Sequence, residues 1–259
     1  MINENARVCI ITNNKGGVGK STTAEALADG LVILAYRTLL IDLDPQGSLS
    51  TDYNQSKTTV YDVMIKQDNI LNAVQIRKNR ADILPASKNL SRLNTELVDT
   101  GKEYRLREIL IPALPHYDYI IVDTPPALGI LTINALTASN FLIIPAQADI
   151  FSLQGIGQLM ETVAAIRVYT NPNIKLMGLL LTRHNARSIL SRDMAEIAEQ
   201  TANKIETFLY KTVIRESVAI KEAQARRDSI FTYAPNSNPA VDYLDFVNEF
   251  IKRSVYVDA

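Results

Sequence analysis

Asn13-Asn14-Lys15-Gly16-Gly17-Val18-Gly19-Lys20-Ser21-Thr22-Thr23 lies between an apolar, β-branched run, Val8–Thr12, and a run of good helix formers, Ala24–Leu34. A strand, a glycine-rich loop and a helix in that order make a phosphate loop. Glycines let the backbone wrap closely enough for its N–H groups to face phosphate oxygens, and the helix that follows turns its positive end toward the same anion. Gly16, Gly17, Val18, Gly19 and Thr22 therefore line the expected anion cradle. Lys20 reaches the β and γ phosphates, and the Ser21 hydroxyl is a Mg²⁺ ligand. The strict pattern G-x-x-x-x-G-K-[ST] is not met, because Asn14 stands where its first glycine belongs. A second lysine, Lys15, precedes the glycine pair instead.

Outward from the loop, short apolar runs alternate with longer segments of helical period, the pattern of βα units around a mainly parallel twisted sheet flanked by helices. The expected strands are Val8–Thr12, Thr38–Asp42, Asp82–Pro85, Tyr119–Asp123, Phe141–Pro145, Leu176–Leu181 and Lys211–Ile214. Ligands of such α/β sheets gather at the carboxyl ends of the strands, where several polar residues fall. Asp42 and Asp44, in Asp42-Leu43-Asp44-Pro45-Gln46-Gly47, point to one side by strand alternation. Asp123 ends the apolar run Tyr119–Val122 in the Walker B manner and is read as holding Mg²⁺ through a bound water. Thr124-Pro125-Pro126 is a stiff loop or, as its resemblance to a family switch segment implies, a reporter of the γ-phosphate.

The chain has 259 residues, 47% of them apolar, and a formal net charge of −1. One α/β domain over residues 1–259 is expected, with no interrupting linker or repeat. No run approaches about 20 consecutive apolar residues, and the polar start Met1-Ile2-Asn3-Glu4-Asn5 lacks the build of a secretory signal, which points to the cytoplasm. The single cysteine, Cys9, reads as a buried thiol. Neither His184 nor His116 has metal-ligand company nearby in sequence. The near-neutral charge means that any nucleic-acid binding needs a local patch or an oligomer. The first strand begins too early to leave room for an N-terminal helix-turn-helix.

Lys-Gly-Gly-x-Gly-Lys-Ser, the D-x-D-P-Q-G segment and the Asp123-Thr-Pro-Pro turn together resemble the ParA/MinD superfamily of deviant phosphate-loop ATPases, and the resemblance runs through most of the chain. It implies ATP and Mg²⁺ as ligands and slow ATP hydrolysis that a partner stimulates. It further implies that Lys15 crosses a dimer interface to the partner's nucleotide, that Asp44 positions the attacking water, and that Asp42 supports either the Mg²⁺ shell or the switch. Thr182-Arg183 and the loop holding Pro235 and Asn236 are the implied adenine contacts. Ala186-Arg187-Ser188 is similar to the segment that carries a DNA-contacting arginine in Soj-type members.

Residues 183–227 hold nine basic residues against six acids. Arg215, Lys221, Arg226 and Arg227 join Arg187 as candidate phosphate contacts, although Ala219 stands where relatives carry a basic residue. The implied biology is an ATP-dependent homodimer that binds double-stranded DNA without sequence preference on the nucleoid, with a ParB-like partner. A MinD-like membrane-associated regulator is the main rival. It is disfavoured by the end of the chain, where only Lys252 and Arg253 accompany the apolar spacing of residues 241–251. A positioner of a protein cargo shares the same cycle. Iron-protein relatives need paired cysteines, and a small-molecule synthetase needs a dedicated acid-substrate pocket.

Overall fold

The computed structural model describes residues 6–50, 58–147, 149–185 and 189–257. Six strands form one sheet: β1 (Arg7–Ile11), β2 (Thr38–Asp42), β3 (Asp82–Leu84), β4 (Tyr119–Asp123), β5 (Phe141–Gln147) and β6 (Lys175–Thr182). All pair in parallel, in the order β3-β2-β4-β1-β5-β6. The helices are α1 (Lys20–Ile33), α2 (Val60–Lys66), α3 (Leu93–Glu96), α4 (Arg105–Leu110) and α5 (Ile130–Ala138), then α6 (Ile150–Tyr169), α7 (Ile189–Lys204), α8 (Val218–Ala225), α9 (Ile230–Tyr233) and α10 (Asn238–Val257).

Parallel strands joined by helical crossovers are covered on both faces, so they read as unbroken apolar runs, and every residue of β2 and of β4 is buried. Alternation along β1 sends Val8 and Ile10 into one core and Cys9 and Ile11 into the other. The second core packs Leu27 and Leu31 of α1 against Phe246, Val247 and Phe250 of α10. The apolar stripe of the last helix is thus spent on packing against α1 and the sheet. Burial pushes the Cys9 thiol far up, which keeps it protonated and unreactive.

β1 lies at the centre, between β4 and β5, because the chain crosses it in both directions. That reversal opens a crevice above the carboxyl ends of the strands. The register sets its floor: Ile11 pairs with Asp123, and Asp42 pairs with the same Asp123 from the other side.

The expected seventh strand, Lys211–Ile214, does not form. Its flanks do follow the edge of β6, through Tyr210 N–H to Leu179 O (2.9 Å) and Ile214 N–H to Leu181 O (2.8 Å). Between them the chain bows outward, and the Glu249 carboxylate of α10 accepts the N–H groups of Lys211 and Thr212, both at 3.2 Å. A side chain has replaced the ladder.

Gly178 sits where this edge is approached most closely, at φ +111°, and a Cβ there would fall 2.6 Å from a ring carbon of Phe208 and 2.9 Å from its carbonyl oxygen. Gly178→Ala combines backbone strain with a clash against backbone, and should lower the unfolding free energy by about 2–3 kcal/mol. Urea unfolding of the two proteins measures this; an unchanged midpoint would mean that the edge can yield.

Candidate functional site

The phosphate loop is held from below by side chains of neighbouring strands. Buried Asn13 donates from Nδ2 to Pro145 O at 2.8 Å, and its Oδ1 accepts the Lys15 N–H at 3.0 Å. Thr182, at the end of β6, donates its hydroxyl to Val18 O at 2.8 Å. Gly17 and Gly19 take the left-handed conformation, at φ 78° and 84°, which a side chain would strain. Gly16 and Gly17 face open space where a Cβ would stand. Gly19 leads into α1 with no side-chain cap and no acid in the first helical turn. The amides of that turn therefore point at the crevice with the full positive end of the helix behind them.

Two lysines flank this opening. Lys20 is 7% exposed and donates to Lys15 O at 2.9 Å. Burial lowers its pKa, while the charges of Asp123 and Asp44 work in the opposite direction. Lys15 turns away from the loop to the Asp149 carboxylate, at 2.7 and 2.8 Å, in a partly exposed ion pair.

The acids meet on the same floor but in unequal settings. Asp42 is fully buried and accepts three hydrogen bonds, from Asp44 N–H (3.0 Å), Leu49 N–H (3.2 Å) and the Ser50 hydroxyl (2.7 Å). Burial raises its pKa to about 6 despite those donors. Asp123 is equally buried, yet neither carboxylate oxygen receives a donor in full hydrogen-bonding geometry, although the Ser21 hydroxyl lies close by. Burial first, and then the neighbouring charge of Asp42, push its pKa well up, opposed by the adjacent Ser21 hydroxyl and Lys20. Asp44 stands half-exposed beyond the strand end, with Oδ1 accepting the Gln46 N–H at 2.9 Å. A buried carboxylate with empty lone pairs next to a serine hydroxyl is a donor set for a hard cation such as Mg²⁺. The structure thus brings Lys20, Ser21, Asp42, Asp44 and Asp123 together, as their order in the sequence predicted.

Residues 6–176 match the family model described as an AAA domain. The sporulation initiation inhibitor protein Soj of Bacillus subtilis is 36% identical over 249 residues, covering 94% of this chain and 97% of that protein. The chain belongs to the Soj/ParA family. The chromosome partitioning protein ParA of Caulobacter vibrioides is also 36% identical, covering 95% of this chain and 94% of its own. Among solved structures, cobyrinic acid a,c-diamide synthase of Mycobacterium smegmatis with bound ATP analog and magnesium superposes with a TM-score of 0.81 at 30% identity, over 94% of this chain and 93% of that one.

In this Soj/ParA member a cavity of about 140 Å³ adjoins the loop, lined by Gly17, Thr22, Thr182, Arg183, Glu216 and Gln224 among others. Thr182 and Arg183 are among its lining residues, whereas Pro235 and Asn236 are not. The far wall comes from α8 and the segment before it, which the sequence reading missed. Backbone pairing of His184 N–H with Ile214 O (2.9 Å) and Glu216 N–H with His184 O (3.1 Å) brings it there. Arg183 and Glu216 pair across the mouth at 3.0 Å, and Gln224 donates to the Thr22 hydroxyl at 2.9 Å.

The candidate phosphate-contacting residues stand in different settings. Arg215 is clamped to Asp242 through Nε and Nη2, at contacts down to 2.6 Å, so its charge is matched within the subunit. Arg226 stacks over Tyr233, 5.3 Å from the ring centroid, and Lys221 and Arg227 are exposed. Arg187 lies outside the described residues.

Because the pKa of Asp123 is raised in the fold, its protonated form is favoured. Its stabilising contribution is complete below the unfolded value near 4 and is lost as pH rises through the folded value. Asp123→Asn should therefore stabilise the nucleotide-free protein by roughly 1–3 kcal/mol at pH 7, with the gain shrinking toward pH 5. Thermal unfolding across that range without Mg²⁺ checks it. A variant less stable than wild type at pH 7 would mean that the carboxylate is compensated.

Proposed function

We propose that this chain is a DNA-partitioning ATPase: ATP and Mg²⁺ close a homodimer, the dimer binds duplex DNA without sequence preference, and a ParB-like partner stimulates hydrolysis and release. The observation that carries the ATPase reading is the pair of unpartnered, buried Asp123 oxygens facing an uncapped helix end beside Lys20. One end of that site calls for a cation and the other for an anion. A Mg²⁺–triphosphate satisfies both.

In this reading the loop amides from Gly16 to Thr22 hold the phosphates, Lys20 neutralises the β and γ oxygens, and Ser21 with Asp123 holds the cation. Mg²⁺ supplies charge neutralisation at the transferring phosphoryl group. Asp44, half-exposed at the mouth, orients a water in line with that group, which calls for position more than for basicity. Thr182 and Arg183 flank the base. Lys15 reaches the nucleotide of the partner only by leaving Asp149. That pair is partly exposed and worth no more than about 1 kcal/mol, so binding energy from a triphosphate readily exceeds it.

The relative named chromosome partitioning protein ParA, which matches nearly the whole chain, supports DNA as the cargo. Among the described residues no helix is long and apolar enough to cross a membrane, and the apolar face of α10 is occupied by the sheet.

Binding of the protein to a random-sequence duplex and to anionic liposomes, with ATP, ADP or no nucleotide across a salt series, tests the proposal. ATP-dependent, salt-sensitive DNA binding is expected. Liposome binding without DNA binding would overturn it. Two substitutions divide the cycle. Lys15→Gln should keep ATP affinity within about threefold while abolishing the ATP dimer, because a partly exposed lysine that acts across an interface adds little to its own subunit's site. A normal dimer by light scattering refutes that role. Asp44→Ala should hydrolyse ATP at least about a hundredfold more slowly with binding retained, and wild-type turnover would exclude Asp44 from the reaction.

A further inference from the structure

Asp42 and Asp123 sit side by side in register, yet their surroundings assign them different tasks. A carboxylate offers about four acceptor positions. Asp42 already fills three of them with donors from its own loop: Asp44 N–H on one oxygen, Leu49 N–H and the Ser50 hydroxyl on the other. Those contacts tie both ends of the segment 43–50 to a single side chain. The segment is further closed on itself by Gly47 N–H to Asp44 O (2.8 Å) and Ser50 N–H to Gly47 O (3.0 Å), and its first amide, Leu43 N–H, bonds to Asp123 O at 3.0 Å.

Ser50 is the hinge pin of this ring. It is 1% exposed, and its one proton goes to Asp42, so its oxygen is free to accept, which it does from the Ala86 N–H at 2.8 Å. Ala86 follows β3 and is itself buried, so that amide has no water to turn to. A single buried hydroxyl therefore joins three parts of the molecule: the end of β2, the loop carrying Asp44, and the chain beyond β3. Apolar packing alone would not select a hydroxyl here.

We infer that Asp42 anchors the 43–50 loop rather than ligating the cation directly, and that Ser50 is a positioning residue which, through Asp42, fixes Asp44 at the mouth of the site. The loop-anchor part stands on the contacts alone. The consequence for turnover rests on the ATPase reading above.

The test uses the full chain and the variants Ser50→Ala, Ser50→Thr and Asp44→Ala. In the nucleotide-free protein, hydrogen–deuterium exchange over residues 43–50 should be at least about tenfold faster in Ser50→Ala, while Ser50→Thr, which keeps the hydroxyl, stays near wild type. With ATP, Ser50→Ala should lower kcat about tenfold to a hundredfold with KM changed by less than about threefold, and Ser50→Thr should recover most of it. In the Asp44→Ala background, Ser50→Ala should add nothing, since the group it positions is gone. Unchanged exchange in Ser50→Ala overturns the anchor. Losses in kcat that persist undiminished in the Asp44→Ala background overturn the positioning role. A wild-type protein that does not hydrolyse ATP defeats the ATPase reading instead, and the exchange measurement still decides the anchor. Were Ser50→Ala not to fold, exchange in Asp42→Asn, which keeps one acceptor oxygen but loses the charge, decides the same point: wild-type exchange over 43–50 overturns the anchor and faster exchange supports it.

Discussion

Two carboxylates, Asp42 and Asp123, are placed opposite one another on adjacent parallel strands, both without solvent. Ionising both in one buried register position would be among the least favourable arrangements an interior can hold, and the architecture around them can be read as the response. The response is uneven. Asp42 is surrounded by donors from its own loop and needs nothing further, whereas Asp123 has only the nearby charge of Lys20 and the Ser21 hydroxyl in its favour. Lys20 is itself buried and partly occupied by the Lys15 carbonyl. What remains is a preference for positive charge at Asp123 and for negative charge at the uncapped end of α1. A ligand that carries both signs answers both preferences at once.

Such a site works only if its walls do not relax into it, and the scaffold prevents that on each side. Placing β1 between β4 and β5 buries both of its faces and fixes the height at which the loop leaves the sheet. α1 is backed by α10 closely enough that a Cβ on Gly30 would lie 2.7 Å from a Val247 methyl carbon. On its other side, Asp29 receives Arg77 at 3.5 Å and Arg80 at 2.9 Å, and Arg80 also bonds Glu25. These groups are mostly buried, so breaking any one would leave another uncompensated, and the helix is held in place along its length. Electrostatic preorganisation of the phosphate site thus rests on ordinary packing some distance behind it.

The parts of this arrangement that were legible in the sequence are those encoded within a few residues of one another. Strand, glycines and helix follow in order from Val8 to Leu34, and the strand-end acids Asp42 and Asp123 needed only the period of two and a guess at parallel pairing. What was not legible depended on partners far along the chain. Lys211–Ile214 has the composition of a strand, but Glu249 of α10 competes for its amides, and no local pattern announces a carboxylate from 38 positions away. The contribution of α8 to the cavity beside the loop was hidden for the same reason, since the backbone pairing of His184 with Ile214 that brings it there is visible only in three dimensions. Arg215 reads as a free cation in sequence and as half of an ion pair in the fold. Charge counting locates basic residues but not their counterions.

That last point bears on how a chain of net charge −1 can hold a polyanion. Lys15, Arg183 and Arg215 each face an acid of the same subunit, Asp149, Glu216 and Asp242 respectively. These three side chains therefore add little net attraction in a lone subunit. Counterion release makes the logarithm of DNA affinity proportional to the number of phosphates neutralised, with a salt slope of about −0.9 for each. Joining two copies doubles that number and thus squares the electrostatic factor in the binding constant, without any new residue being added. Under the proposed cycle, then, a weak and internally paired patch is an advantage: binding that is negligible for one subunit and substantial for two is switched by the nucleotide that joins them, and hydrolysis removes it entirely.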